Sequence, residues 1–148
     1  MAAELTCVER VMRVLRREEP DRVPHFEWLV DRKVREALCP GCKTYNEFAV
    51  RLGHDVVLAD PNFRKEQIGH KRWRSEWGYV VEYTAEEHGI EVEFPIATMS
   101  DFERYTPPDL HAPGRYASIE TTIREYEGHK AVIVQVYDDR LMALNSGI

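Results

Sequence analysis

Two short apolar runs constrain this chain more than any other feature. Val56-Val57-Leu58-Ala59 and Ala131-Val132-Ile133-Val134 place no polar residue on either face. A strand with one wet face alternates apolar and polar residues, so unbroken runs of this kind read as strands covered on both faces, the pattern of parallel sheets. Parallel neighbours need long crossover connections, usually helical, and helical periodicity is present around both runs. Thr6 and Glu9 have the spacing of a capping box, and Val8, Val11, Met12 and Leu15 recur at helical intervals, which predicts a first helix ended by Pro20. Val23-Pro24-His25-Phe26-Glu27-Trp28-Leu29 then reads as a strand. Residues 31–38 and 45–52 read as helices, the second with Gly53 at its C′ position; residues 115–127 read as another, stopped by Gly128.

Segments 77–83 and 89–94 alternate instead. Separated by Thr84-Ala85-Glu86-Glu87-His88, they predict an antiparallel hairpin with one wet face. Residues 106–114, rich in proline, read as a connector. The order helix, strand, helices, strand, hairpin, helix, strand predicts an α/β fold of right-handed βαβ units.

Composition narrows the functional classes. A length of 148 residues with 43% apolar content suits one domain, and a net charge of −6 argues against a nucleic-acid or anionic-membrane partner, which needs a basic face. The apolar runs are too short to span a bilayer, and residues 1–10, with Glu4 and Glu9, lack the apolar stretch of a secretory signal. Three cysteines, Cys7, Cys39 and Cys42, do not make a disulfide framework; a reducing, cytoplasmic location is expected. Cys39-Pro40-Gly41-Cys42 has the outline of a redox dithiol, but it follows a predicted helix rather than opening one, and it reads as a turn between helices.

The stretch Glu9-Arg10-Val11 through Arg16-Arg17-Glu18-Glu19-Pro20-Asp21-Arg22-Val23-Pro24 resembles the opening of the uroporphyrinogen decarboxylase superfamily. Val56-Val57-Leu58-Ala59-Asp60, with Gly69 nine residues on, is similar to that family's second strand and its catalytic aspartate. Tyr105-Thr106-Pro107-Pro108-Asp109 and Lys130-Ala131-Val132-Ile133-Val134 also look like family segments, so the resemblance extends to about Tyr137. It implies a partial (β/α)8 barrel, about the first three βα units, with the hairpin inserted and the site at the carboxyl ends of the strands. It further implies a single, apparently truncated domain over residues 1–148 that acts, if complemented, on tetrapyrrole or methyl–corrinoid substrates by decarboxylation or methyl transfer. In the decarboxylases two arginines after the first strand clamp substrate carboxylates; counted without a gap from Pro24, their places hold Leu29 and Lys33. Lysine lacks the bidentate fork of arginine, which sets the chain nearer to the methyltransferase-like relatives. Those relatives use zinc and a corrinoid, with zinc ligands in a later part of their sequence, so no cofactor is expected on these residues.

By the same resemblance Asp60 is the catalytic carboxylate, facing pyrrole N–H groups and stabilising positive charge on the ring; its plain alternative is an aspartate that starts a turn before Pro61. His25 and Glu27 share one face of the predicted first strand and are candidates for proton transfer or substrate binding, against a hydrogen-bonded histidine and an ion-paired glutamate. Asn62 and Arg64 follow Asp60 into the loop where substrates bind in such folds. Tyr137 and Asp138 end the last predicted strand on the same side. A barrel fragment exposes unpaired strand edges, so a homodimer or a complementary barrel half is the expected partner, beside a small-molecule tetrapyrrole or methyl donor. The alternative is a non-catalytic remnant or dimerising module.

Overall fold

The computed structural model describes residues 4–84 and 89–135. Among them the order is α1 (Cys7–Leu15), α2 (Arg32–Leu38), α3 (Tyr45–Arg51), β1 (Val56–Ala59), β2 (Lys65–Gly69), β3 (Arg72–Ser75), β4 (Val80–Glu82), β5 (Ile90–Glu93), α4 (Met99–Arg104), α5 (Ala117–Tyr126) and β6 (Ala131–Val134). The chain divides into two compact units, one built on Met1–Pro61 with Tyr116–Gln135 and the other on Asn62–Arg115.

In the first unit the two apolar runs meet as foreseen. β1 and β6 pair in parallel, Val56 opposite Ala131 through Ala59 opposite Val134. Val56, Val57 and Ala59 are buried, with Phe48 and Ala49 of α3 and Ile119 of α5 completing the core. α1 begins on the expected capping box: Thr6 Oγ1 accepts from the Glu9 N–H at 3.2 Å, and the Glu9 carboxylate accepts from the Thr6 N–H at 2.9 Å. The buried face of α1 departs from its apolar periodicity. Arg10 and Val11 are buried, whereas Leu15 is 71% exposed. Gly53, at φ +73°, takes the left-handed conformation that turns the end of α3 toward β1.

The partial (β/α)8 barrel is not formed. Among the described residues the parallel sheet has two strands, and the predicted first strand at Val23–Leu29 pairs with nothing as a ladder. Two local reasons account for this. Pro24 has no N–H to give to a ladder. On β1, the N–H and C=O of Leu58 point away from β6, and both are taken by the side-chain amide of Asn46, at 3.0 and 2.8 Å. An amide side chain therefore stands where a neighbouring strand would pair, and the stretch from Val23 to Leu29 has no regular structure. The His25 carbonyl accepts from the Asp55 N–H at 2.8 Å, just before β1.

The inserted hairpin is also corrected. The second unit is a four-stranded antiparallel sheet in the order β2-β3-β4-β5, with β4 and β5 inside the predicted hairpin arms. The connecting residues 85–88 lie outside the described residues. β2 and β3 are mostly polar, KEQIG and RWRS, and are joined through Lys71 at φ +57°. Trp77, Val80 and Ile96 are the buried apolar side chains of this unit. Residues 106–114 form turns without helix or strand, as expected for the connector. No helix of the described residues is long and apolar enough to cross a membrane.

Candidate functional site

The parallel pair β1–β6 has two chemically different ends. The amino end is closed by charge. Asp55, buried just before β1, accepts from Arg10 Nη1 at 2.6 Å, from both terminal nitrogens of Arg22 at 2.7 and 2.9 Å, and from the His25 N–H at 2.7 Å. Arg10 in turn holds Asp21 through Nε at 2.6 Å and Nη2 at 2.8 Å. Burial alone would push the Asp55 carboxyl up, but the bonds from Arg22, the His25 N–H and Arg10 outweigh it and hold the carboxyl at about 2. The Arg10 bond likewise holds Asp21 far below the usual carboxylate range. Every lone pair direction of Asp55 is committed, so this network fastens α1 and the Asp21–Arg22 turn to the sheet and leaves nothing for a ligand.

His25 belongs to this same end. Its ring meets the buried His54 edge-on, with centroids 4.4 Å apart, and its Nε2 lies 4.0 Å from Glu27 Oε1. Burial, and then the neighbouring His25, push the His54 imidazole below its ordinary value. The structure thus brings His25 and Glu27 together, but places His25 at the opposite end of β1 from Asp60. Five residues of strand at about 3.3 Å each separate the two levels by roughly 16 Å.

The carboxyl end is built from different groups. Asp60 is exposed there, directly after β1, and its carbonyl accepts from the Ser118 hydroxyl in the first turn of α5. Gln135, directly after β6, gives its N–H to the Ala59 carbonyl at 2.9 Å and receives the indole N–H of Trp28 on its side-chain oxygen. Trp28 is 45% exposed, so its ring is pinned at one edge and offers area to solvent. A carboxylate, a pinned indole and an amide lie at one end of a parallel strand pair, which is where ligands bind in α/β sheets. Trp28, Ser118 and Gln135 carry no motif that singles them out in sequence; Trp28 lay inside the stretch assigned to a strand. They are recognised only once β1 and β6 are known to be neighbours.

Asn62 and Arg64 fall in the second unit, where they serve the fold. The Asn62 side chain donates to the Gly114 carbonyl at 2.9 Å, and the Arg64 N–H donates to Glu76 Oε1 at 3.2 Å. Arg64's own side chain is exposed. Tyr137 and Asp138 lie outside the described residues. Among the described residues no group of three or more His, Cys, Asp and Glu side chains is arranged to hold a metal ion. Cys39 and Cys42 are joined as a disulfide at the turn between α2 and α3. Comparison with known proteins finds no matching family model, no matching curated protein and no matching solved structure.

Proposed function

We propose that the chain binds a tetrapyrrole at the carboxyl end of β1 and takes part in the decarboxylation or methyl-transfer chemistry of the uroporphyrinogen decarboxylase superfamily, with Asp60 as the residue that meets the substrate. The observation that supports this reading is the exposed Asp60 at the carboxyl end of a buried parallel strand, with the edge-pinned Trp28 ring tied through Gln135 to the residue before it. A carboxylate in that place accepts pyrrole N–H bonds and lowers the energy of a ring that gains positive charge when it is protonated before carbon dioxide leaves. An indole face supplies area for a flat conjugated ligand. Methyl transfer uses the same end differently: the corrinoid carries the methyl group, and the protein's part is to hold the macrocycle near the acceptor.

A titration under anaerobic conditions, with uroporphyrinogen in one series and methylcobalamin in the other, tests the reading. Wild type should bind at least one of them saturably. Asp60→Asn removes a charge-assisted hydrogen bond, which corresponds to roughly a 10- to 100-fold loss of porphyrinogen affinity. Binding that is absent for both ligands, or porphyrinogen binding unchanged in Asp60→Asn, would contradict it.

A second reading, a dimerising module without chemistry, is favoured by one observation. Ile133 and Val134 of β6 are 39% and 42% exposed, an uncovered apolar strip on a strand that pairs with β1 alone among the described residues. Light scattering on the purified chain separates the readings, because a dimer whose mass is unmoved by either ligand supports the second.

A further inference from the structure

The Cys39–Cys42 disulfide stands outside the carboxyl-end site, and its surroundings are built asymmetrically. Cys39 is the C-cap residue of α2 and is 4% exposed; Cys42 is half-buried and lines a cavity of about 110 Å³. The other lining residues are Arg32, Arg35, Glu36, Lys43 and Phe48, three cations against one carboxylate. Arg51 Nη1 lies 3.7 Å from the Cys39 sulfur. Gly41, at φ +89°, takes the left-handed conformation that closes the short turn between the two cysteines. One sulfur is thus reachable and the other shielded beside a guanidinium.

We propose that Cys39–Cys42 is a redox-active pair that exchanges with an acidic low-molecular-weight thiol of the glutathione class. The thiolate of that small thiol enters the cationic cavity and attacks the sulfur of Cys42. The Cys39–Cys42 bond breaks as the new mixed disulfide forms, and Cys39 leaves as a thiolate next to Arg51. A second thiolate then attacks the sulfur of the small thiol in the mixed disulfide. It releases the oxidised small disulfide and leaves Cys42 as a thiolate, so two small thiols are oxidised for one protein disulfide reduced. Run in reverse, oxidised glutathione restores the bond. Cations beside a sulfur favour its thiolate and so favour both its formation as leaving group and the reduced state. The small cavity suits the tip of a tripeptide, and its positive lining suits the carboxylates that such a thiol carries.

The test is run on the native chain. Samples are equilibrated in buffers of reduced and oxidised glutathione, quenched in acid, alkylated and mapped by mass spectrometry, which also separates the free Cys7 from the pair. The pair should pass between disulfide and dithiol without denaturant. Corrected for thiolate concentration, glutathione should react about 10-fold faster than the cationic thiol cysteamine, because the lining attracts one and repels the other. Arg32→Gln combined with Lys43→Gln should bring that ratio toward one, with circular dichroism confirming the fold. Cys39→Ser should accumulate a glutathione adduct on Cys42. A disulfide that opens only in denaturant, an equal rate for the two thiols on wild type, or an adduct that forms on Cys39 in Cys42→Ser faster than on Cys42 in Cys39→Ser would overturn the proposal.

Discussion

Each unit is organised around a buried arginine, and the two arginines are satisfied in different ways. Arg10, 1% exposed, meets two carboxylates, Asp21 and Asp55, and Asp55 is shared with Arg22. Arg115, 3% exposed, meets one carboxylate, Glu76, together with the carbonyls of Asn62 and Asp109, and its guanidinium lies over the Phe63 ring at 4.5 Å. Its Nε finds no partner among the described residues. The first is a balanced ionic network that closes the amino end of a parallel strand pair. The second is a single ion pair supported by main chain and an aromatic face, tying a loop to a largely polar antiparallel sheet. Breaking a buried network strands a charge, whereas breaking the second strands a carboxylate that still reaches solvent, Glu76 being 17% exposed at its side chain.

Asp55→Asn should therefore have the largest effect. It keeps the shape but leaves one carboxylate, Asp21, for the two guanidinium groups of Arg10 and Arg22, and a destabilisation of about 3–5 kcal/mol is expected in chemical denaturation. Arg115→Met should cost less, roughly 2–3 kcal/mol, because Glu76 can hydrate. Hydrogen exchange sharpens the contrast: Asp55→Asn should loosen amides of β1 and β6, and Arg115→Met those of β3 and the 109–115 turn. Equal losses, or loosening in the wrong unit, would show that the two arginines are not independent anchors.

Acid should separate the units more gently. The folded Asp55 carboxyl sits at about 2, below its ordinary value of 3.8, so its contribution is complete above that ordinary value and disappears as pH falls toward 2. The size is roughly 2 kcal/mol for a shift of this width. Stability measured between pH 5 and pH 2 should fall in wild type and in Arg115→Met, and fall less steeply in Asp55→Asn. A wild-type profile as flat as that of Asp55→Asn would remove Asp55 as its source.

The same contrast explains what the sequence could and could not disclose. Unbroken apolar runs announced β1 and β6, and Thr6 with Glu9 announced the start of α1, because hydrophobic period and capping chemistry are local. Helices α2, α3 and α5 were likewise legible within a residue or two. The six residues of α4 give too little periodicity to show in the sequence, although Thr98 and Asp101 have the spacing of a capping box, which they form. The polar strands β2 and β3 carry no alternation, so the four-stranded sheet was read as a hairpin. Val23–Leu29 had strand composition, but a strand needs a partner edge, and Asn46 had already taken it. Arg10 and Arg115 were invisible as core residues because nothing local says that an arginine will find its carboxylates 11 and 39 positions away. The carboxyl-end site was half legible. Asp60 was singled out by resemblance, while Trp28, Ser118 and Gln135 reach it through pairings that span the chain. Strand alternation pairs His25 with Glu27, and the bonds of the His25 main chain to Asp55 fix it at the end of β1 opposite Asp60.

Structural charge closes the amino end of β1, and we propose ligand chemistry for its carboxyl end. Hydrogen exchange of the chain, free and saturated with whichever of uroporphyrinogen and methylcobalamin it binds, tests this division most directly, read peptide by peptide. Protection should concentrate on residues 57–61 and on the segment around Trp28, whose amides belong to no ladder, while residues 21–25 and 53–55 exchange as before. Protection centred on the Arg22, His25 and Asp55 end, or no change anywhere at saturating ligand, would contradict it.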